Sequence, residues 1–258
     1  MKKIFFFDID GTLAIKGVIS KGNIEALKKL KEKGYLVFIC TGRAPFYAKN
    51  MFKDLVSGYV TCNGGYVEYK NQPIYKAIVS SEAIKATMEL SNQHNFNYYF
   101  ESSDYIYVRD RNDSRHLEFA NNWGMKDKTI IDDFDPEKIE TYIGMIVVND
   151  KKDIPILVEK LSPYFDVQRH QSDYSFDLTL KGVSKAVGIE KLVERLGRDM
   201  ADTIAFGDGR NDIEMLETVA MGVAMGNAVP EAKAVADFET DRIENDGIVK
   251  ALKEFRLI

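Results

Sequence analysis

Near its N-terminus the chain carries the sequence IFFFDIDGT at residues 4–12. Its first four residues are all apolar, which is typical of a strand covered on both faces in a parallel sheet. Asp8 and Asp10 follow at once, and open α/β sheets bind ligands at the carboxyl ends of their strands. Gly11 permits the chain to turn sharply away from the sheet. Alone, the segment could also be a solvated Asp-Gly turn, although the functional interpretation is preferred, so its meaning depends on the remaining sequence.

Helices and apolar strands alternate along both ends of the chain. In the N-terminal third, Ser20 is expected to cap a helix that ends near Gly34. A helix is also expected over about residues 184–196, before the last strands. The further strands are expected at residues 36–40, 59–62, 203–206 and 221–225. This alternation predicts an α/β core, a Rossmann-like doubly wound parallel sheet with helices on both faces.

The middle of the chain has a different pattern. Aromatic and polar residues interleave in its short strands, which is typical of an antiparallel sheet with one exposed face. Helical segments are expected near residues 82–93 and 154–161. We therefore predict a core formed by residues 1–81 and 183–258, with an α+β domain inserted at residues 82–182.

Polar motifs follow the main strands of the predicted core. They are Asp8 with Asp10, TGR at residues 41–43, NG at residues 63–64, and Asp208 with Asn211 and Asp212. A parallel sheet brings the carboxyl ends of its strands to one edge, so residues distant in sequence are expected to converge on one pocket. Chance turns would not so regularly contain carboxylates, a hydroxyl and an amide.

Four of these segments resemble the motifs of the haloacid dehalogenase superfamily. They are DIDGT at residues 8–12, TGR at 41–43, VSK at 183–185 and GDGRND at 207–212. The order and the large insertion before the lysine motif resemble the Cof-type sugar-phosphatase branch, with its class IIB cap. NGG at residues 63–65 and MGNA at 225–228 are also similar to that branch. The resemblance spans nearly the whole chain and implies a Mg²⁺-dependent phosphatase.

The resemblance also implies roles for individual residues. Asp8 would attack phosphorus and carry an aspartyl-phosphate, while Asp10 would protonate the leaving oxygen and then take a proton from water. The implied phosphate-binding residues are Thr41, Gly42, Lys185 and Asn211. The implied metal ligands are the carboxylates of Asp8 and Asp208 and the backbone carbonyl of Asp10. Asp212 would either ligate the metal or orient the loop that carries Asp208.

Elementary electrostatics supports this assignment independently. A carboxylate that approaches a phosphate dianion meets like-charge repulsion, so the site needs cations, and Mg²⁺ prefers oxygen ligands. Lys185 adds one positive charge on a flexible side chain. A second acid beside the nucleophile can activate water for breakdown of the intermediate. Pumps that form a phospho-aspartate resemble Asp-Lys-Thr-Gly-Thr here and lack that acid; Asp10 and the absence of membrane spans exclude a pump.

Several of these residues have simpler explanations. Thr41 could cap the next helix, and Asp212 could be an acid at a helix start. Lys185 begins a predicted helix, where a cation opposes the helix dipole, and this favours a functional role. Arg43 could contact substrate, but an ordinary ion pair is the preferred interpretation.

The inserted domain is expected to act as a lid that excludes water and contacts the leaving group. Its candidate substrate contacts are Trp123, Arg169, His170 and Tyr174. For each of them a place in the core or on the surface is the preferred interpretation.

Composition limits the possible partners and compartments. The formal net charge of −5 argues against a nucleic acid held through its phosphates, which normally requires a basic face. Cys40 and Cys62 form no disulfide framework and are expected to be small buried residues near strand ends. No apolar run is long enough for a signal peptide or a bilayer span. We therefore expect a cytoplasmic protein without a membrane partner.

The leading hypothesis is hydrolysis of a small phosphomonoester, such as a sugar phosphate, a related metabolite or a phosphorylated cofactor. A phosphotransferase, for example a phosphomutase, would share the intermediate and pass the phosphate to a sugar hydroxyl. A third possibility is a non-catalytic regulator that binds phosphorylated metabolites. The combination of Asp8, Asp10, Lys185 and Asp208 argues against it, because a pure binder needs no nucleophile beside an acid.

Overall fold

The computed structural model describes residues 2–113, 129–169 and 174–258. The chain divides into two compact units: the chain up to Lys76 together with Val183–Ile258, and Ala77–Gly182. The sequence placed the start of the insertion at residue 82, where a helix was expected. The second unit begins earlier because Val79 packs in its apolar core and donates its backbone N–H to the carbonyl of Thr141 at 2.9 Å.

The secondary structure alternates strands and helices over much of the chain. The strands, in chain order, are β1 (Ile4–Phe7), β2 (Ala14–Ile15), β3 (Val18–Ile19), β4 (Leu36–Cys40), β5 (Gly58–Thr61), β6 (Tyr66–Tyr69), β7 (Gln72–Lys76), β8 (Asn97–Glu101), β9 (Ile106–Val108), β10 (Ile130–Ile131), β11 (Ile143–Val147), β12 (Phe165–Arg169), β13 (Ser175–Leu180), β14 (Thr203–Gly207), β15 (Met221–Ala224) and β16 (Phe238–Glu239). The helices are α1 (Lys21–Glu32), α2 (Pro45–Phe52), α3 (Ser81–His94), α4 (Ile154–Leu161), α5 (Lys185–Arg195), α6 (Ile213–Thr218), α7 (Pro230–Val235) and α8 (Gly247–Glu254).

The first unit is built on a sheet with the strand order β16-β15-β14-β1-β4-β5-β6-β7. All strands from β16 to β5 are parallel, which confirms the predicted α/β fold class. β6 and β7 extend the sheet as an antiparallel hairpin that the sequence analysis did not predict. Its turn residues Lys70 and Asn71 both have positive φ, as a two-residue type I′ hairpin turn requires.

Helices cover both faces of this sheet. Phe5 and Phe7 of β1 pack with residues of α1, α2 and α8, whereas Ile4 and Phe6 pack with residues of α5, α6 and α7. All four β1 side chains are buried, which explains why this strand is an unbroken apolar run rather than an alternating one. The doubly wound arrangement is therefore the one that the sequence predicts.

The register of the parallel strands sets the position of the motifs. Phe7 pairs with Ile39 of β4 on one side and with Phe206 of β14 on the other. The residues that follow these three strands consequently leave the sheet at the same edge. Asp8, the segment from Thr41 and the loop that carries Asp208 are brought together by this register.

The second unit contains a six-stranded sheet with the order β10-β9-β8-β11-β13-β12. Its pairings are antiparallel apart from β9 with β10, and α3 and α4 pack on its apolar residues, as expected for an α+β domain. Arg169 ends β12, and Tyr174 is exposed. Trp123 and His170 lie outside the described residues. Across the part of the chain that the structure describes, no helix combines the length and apolarity that crossing a membrane requires.

Gly64, in the turn after β5, packs closely against the start of α5. Its φ is 92°, and a Cβ there would overlap the carbonyl oxygen of Ser184. Gly197 provides a matched control, because its φ is 61° and no atom lies within 4 Å of a Cβ built there.

We therefore expect Gly64→Ala to lower the free energy of unfolding by about 2–4 kcal/mol and Gly197→Ala by about 1 kcal/mol. Urea denaturation followed by circular dichroism measures both. Equal losses in the two variants would contradict the close packing of Gly64 on the start of α5.

Candidate active site

A buried lysine lies between two buried carboxylates at the sheet edge. Lys185 is the first residue of α5, whose N-cap is Ser184. Its Nζ donates to Oδ1 of Asp8 at 2.7 Å and to Oδ1 of Asp212 at 2.6 Å. All three side chains are almost completely inaccessible to solvent. The unfavourable position of the cation at a helix start is thus offset by two direct ion pairs.

The protonation equilibria of this cluster are strongly perturbed. Burial raises the pKa of Asp8 well above its usual range, although the nearby Lys185 charge opposes that shift. Burial alone would lower the pKa of Lys185, but the charges of Asp212 and Asp8 outweigh it and raise that pKa, so the ammonium stays charged. Burial and the charge of Asp212 raise the pKa of Asp208 to about 6. The cluster contains more negative charge than Lys185 neutralises.

Asp212 fixes the loop that carries Asp208. Its Oδ2 accepts the backbone N–H groups of Asp208 and Gly209, each at 2.9 Å, while its Oδ1 accepts from Lys185. Both carboxylate oxygens are therefore engaged within the protein. Of the two roles that the sequence left open for Asp212, this geometry favours orientation of the loop over direct metal ligation.

The acidic cluster has the composition that a divalent cation requires. One carboxylate oxygen each from Asp8, Asp208 and Asp212 lies within 4.8 Å of the others. Thr12 donates its hydroxyl to Oδ1 of Asp208 at 2.8 Å and so sets the orientation of that carboxylate. Hard oxygen donors with unneutralised negative charge match the preference of Mg²⁺ and similar ions. Asp8 and Asp208 therefore fit a metal ion, and Asp212 adds negative charge beside them.

Asp10 forms a bidentate ion pair with Arg43. Arg43 donates from Nε and Nη2 to the two carboxylate oxygens of Asp10, each at 2.5 Å. The same guanidinium lies 3.9 Å from the ring centroid of Tyr47. The sequence favoured an ion pair for Arg43 without identifying Asp10 as the partner. Because both Asp10 oxygens accept hydrogen bonds here, this pair has to open before Asp10 can donate a proton.

The predicted phosphate-binding residues extend the site along the sheet edge. Thr41 is buried, and its Oγ1 accepts the backbone N–H of Arg43 at 3.2 Å. The N-cap of α2 is Ala44, so Thr41 does not cap that helix. Asn211 donates from Nδ2 to Oδ1 of Asn63 at 3.1 Å. Direct contacts thus join Asp8, Lys185, Asp212 and Asp208, whereas Asp10 and Asn211 contact Arg43 and Asn63.

Asn227 is a site residue to which the sequence analysis gave no role. Its Nδ2 donates to the carbonyl of Gly11 at 2.8 Å and approaches Oδ2 of Asp208 at 3.4 Å, while its Oδ1 accepts the N–H of Ile243 at 3.0 Å. A Cβ at Gly11 would overlap the Asp208 carboxylate. The sequence indicated this position only because MGNA, at residues 225–228, is similar to the Cof-type branch. No spacing pattern links that segment to the acids.

The sequence and the fold match known phosphatases. The family model described as haloacid dehalogenase-like hydrolase matches residues 5–252. YkrA of Bacillus subtilis (strain 168), whose name assigns it provisionally to the phosphatases, is 35% identical over 258 residues, which cover 99% of this chain and 98% of YkrA. YitU of the same organism, named as a 5-amino-6-(5-phospho-D-ribitylamino)uracil phosphatase, is 29% identical over 96% of this chain and 95% of YitU. A solved sugar phosphatase of haloacid dehalogenase subclass IIB superimposes with a TM-score of 0.85 at 31% identity, covering 100% of both chains.

The surplus negative charge predicts that Asp208→Asn stabilises the metal-free protein at neutral pH. Asp208 titrates near 6 when folded, against a reference value of 3.8, so above pH 6 its ionised form is penalised in the folded state. We expect the variant to be more stable by about 1–3 kcal/mol at pH 7.5. The difference should shrink as the pH falls from 6 towards 3.8 and vanish below that value, where Asp208 is protonated in both the folded and the unfolded state.

Urea denaturation in the presence of a chelator, at several pH values, measures this difference. Asp133→Asn is the matched control, since Asp133 is exposed and should show little change. A less stable Asp208→Asn protein at pH 7.5 would contradict the charge imbalance.

Proposed function

This chain belongs to the haloacid dehalogenase-like hydrolase family and is a phosphatase, and on that premise we propose that it hydrolyses a small phosphomonoester through an aspartyl-phosphate on Asp8. The observation that carries the proposal is Lys185, which holds Asp8 and Asp212 at 2.7 and 2.6 Å within the acidic cluster that includes Asp208. A buried nucleophile beside a buried cation and a metal-binding set of oxygens is suited to phosphoryl transfer.

In the first step, Asp8 attacks phosphorus. Lys185 fixes the carboxylate through Oδ1, and we assign the attack to Oδ2. A bond forms between Asp8 and phosphorus as the bond to the leaving oxygen breaks. Mg²⁺, bound by Asp8, Asp208 and the main-chain carbonyl of Asp10, would neutralise part of the charge shared by the phosphate and the carboxylates.

We assign acid and base catalysis to Asp10. In its protonated form it donates its proton to the leaving oxygen, for which the bidentate pair with Arg43 opens. Asp10 then takes a proton from water, which attacks phosphorus and breaks the bond to Asp8. The products are the free alcohol and inorganic phosphate, and Asp8 and Asp10 return to their starting forms.

Thr41, Gly42, Lys185 and Asn211 are proposed to bind the phosphate oxygens. Thr41 offers a hydroxyl, Asn211 an exposed amide and Lys185 a positive charge next to Asp8. With an overall charge of −5, the protein has to concentrate positive charge locally to bind an anion. The buried ammonium of Lys185 and a bound cation meet that need.

The names of the relatives suggest the substrate class. One is a sugar phosphatase, and another acts on a phosphorylated ribityl chain. Both descriptions fit a phosphate ester on a polyhydroxylated carbon chain. We propose a substrate of this class, and we propose that the second unit, residues 77–182, acts as the cap that selects the leaving group.

Asp8→Asn should lower the rate of phosphate release in the presence of Mg²⁺ by roughly a thousandfold or more, because an amide cannot form the acyl phosphate. Phosphate release from a panel of sugar phosphates and a phosphoribityl compound, with and without a chelator, measures this, with Asp133→Asn as the control. Undiminished turnover in Asp8→Asn would refute the mechanism. Predominant transfer of phosphate to an added sugar would favour a phosphomutase instead.

Asp10→Asn should separate the two steps. With p-nitrophenyl phosphate, whose leaving group needs little protonation, formation of the acyl phosphate should persist while its hydrolysis slows about 100-fold or more. Rapid-quench kinetics should then show a burst of about one nitrophenol per protein, and the phosphoprotein should accumulate. If instead no phosphoprotein forms and turnover stays at the wild-type rate, Asp10 is not the base.

A further inference from the structure

Asn63 lies in a turn with an unusual backbone. It follows β5 with φ 50° and ψ 38°, and the preceding Cys62 also has a positive φ of 54°. Asparagine tolerates this region better than most residues, but two consecutive non-glycine residues there are uncommon. The turn is held by the predicted phosphate-binding segment, because Asn63 and Cys62 donate their N–H groups to the carbonyls of Thr41 and Arg43, each at 3.1 Å.

The Asn63 side chain fills the space between two predicted phosphate-binding residues. It is buried, and its Oδ1 accepts from Nδ2 of Asn211 at 3.1 Å. A Cβ at Gly42 would lie only 2.9 Å from the same Oδ1. Any larger residue at position 42 would press on the amide. A single side chain thus links the loops that follow β4, β5 and β14.

This contact determines which atoms Asn211 presents. A side-chain amide has one acceptor and two N–H donors. With one N–H directed at Oδ1 of Asn63, rotation of the amide by 180° would set two oxygens against each other. An unpaired buried acceptor in that arrangement is costly. While Asn63 keeps this orientation, Asn211 is held as a donor, and its second N–H is available for an anion.

We propose that Asn63 is a positioning residue for phosphoryl transfer: it holds the Asn211 amide as a preorganised donor to the transferring phosphate. The role rests on the proposed function, since it requires Asn211 to contact that phosphate. Preorganised donors matter most where charge develops in the transition state. The effect should therefore fall on kcat more than on KM.

Asn63→Gly tests this role cleanly, because glycine adopts φ 50° without strain and only the amide is lost. With p-nitrophenyl phosphate and saturating Mg²⁺, kcat/KM is expected to fall about 10- to 50-fold, mostly in kcat. Asn211→Ala should cause a loss of at least that size. The double variant Asn63→Gly/Asn211→Ala should be no slower than Asn211→Ala, because Asn63 acts through Asn211.

Asn71→Gly is the matched control. Asn71 also has a positive φ, of 61°, but lies in the exposed turn between β6 and β7, so its kcat and KM should equal those of the wild type. Thermal unfolding of each variant verifies that the proteins compared are folded.

If the fold-decrease in kcat/KM of the double variant equals the product of the two single decreases, the proposal is overturned in favour of a general structural role. Wild-type kinetics in Asn63→Gly would overturn it outright, while leaving the proposed function intact. Wild-type hydrolysis that does not depend on Asp8 would instead refute the proposed function, and the role of Asn63 with it.

Discussion

The ion pairs that Lys185 forms with Asp8 and Asp212 are the constraint on which the site depends. They place the positive charge of the first residue of α5 between acids from the two ends of the chain. Truncating a partner of such a buried pair leaves an uncompensated charge, which costs about 3–5 kcal/mol. The single charge of Lys185 offsets at most one of the three carboxylate charges of Asp8, Asp208 and Asp212, and we infer that the remaining negative charge favours a bound cation. The same repulsion that favours metal binding should destabilise the metal-free fold.

The backbone of the strand-end loops makes this convergence possible. Gly11 allows the first loop to approach the Asp208 carboxylate, and Gly64 allows the turn after β5 to approach the start of α5. Asn227 and Asn63 then tie the loops together through side-chain amides. Glycines therefore allow the loops to approach one another, and asparagine hydrogen bonds hold the loops together. Both features keep the polar groups in place before substrate binds.

Much of this organisation could be predicted from the sequence. Residues 4–12 combine an unbroken apolar run with two acids, and the alternation of elements leaves few topologies for the core. The β6–β7 hairpin was missed because its strands are short and partly polar. The pair between Arg43 and Asp10, and the contact between Asn63 and Asn211, join residues far apart in sequence. No local pattern specifies such side-chain pairs, since they depend on register and rotamers.

The most direct test of the central claim is a crystal structure of the protein grown with Mn²⁺, with data collected for anomalous scattering. Convergence of the acids at one cation-binding edge predicts a strong anomalous peak about 2.2 Å from carboxylate oxygens of both Asp8 and Asp208, with Lys185 still paired to Asp8 and Asp212. A structure without a peak between Asp8 and Asp208, or with Lys185 turned away from Asp8 and Asp212, would contradict this claim.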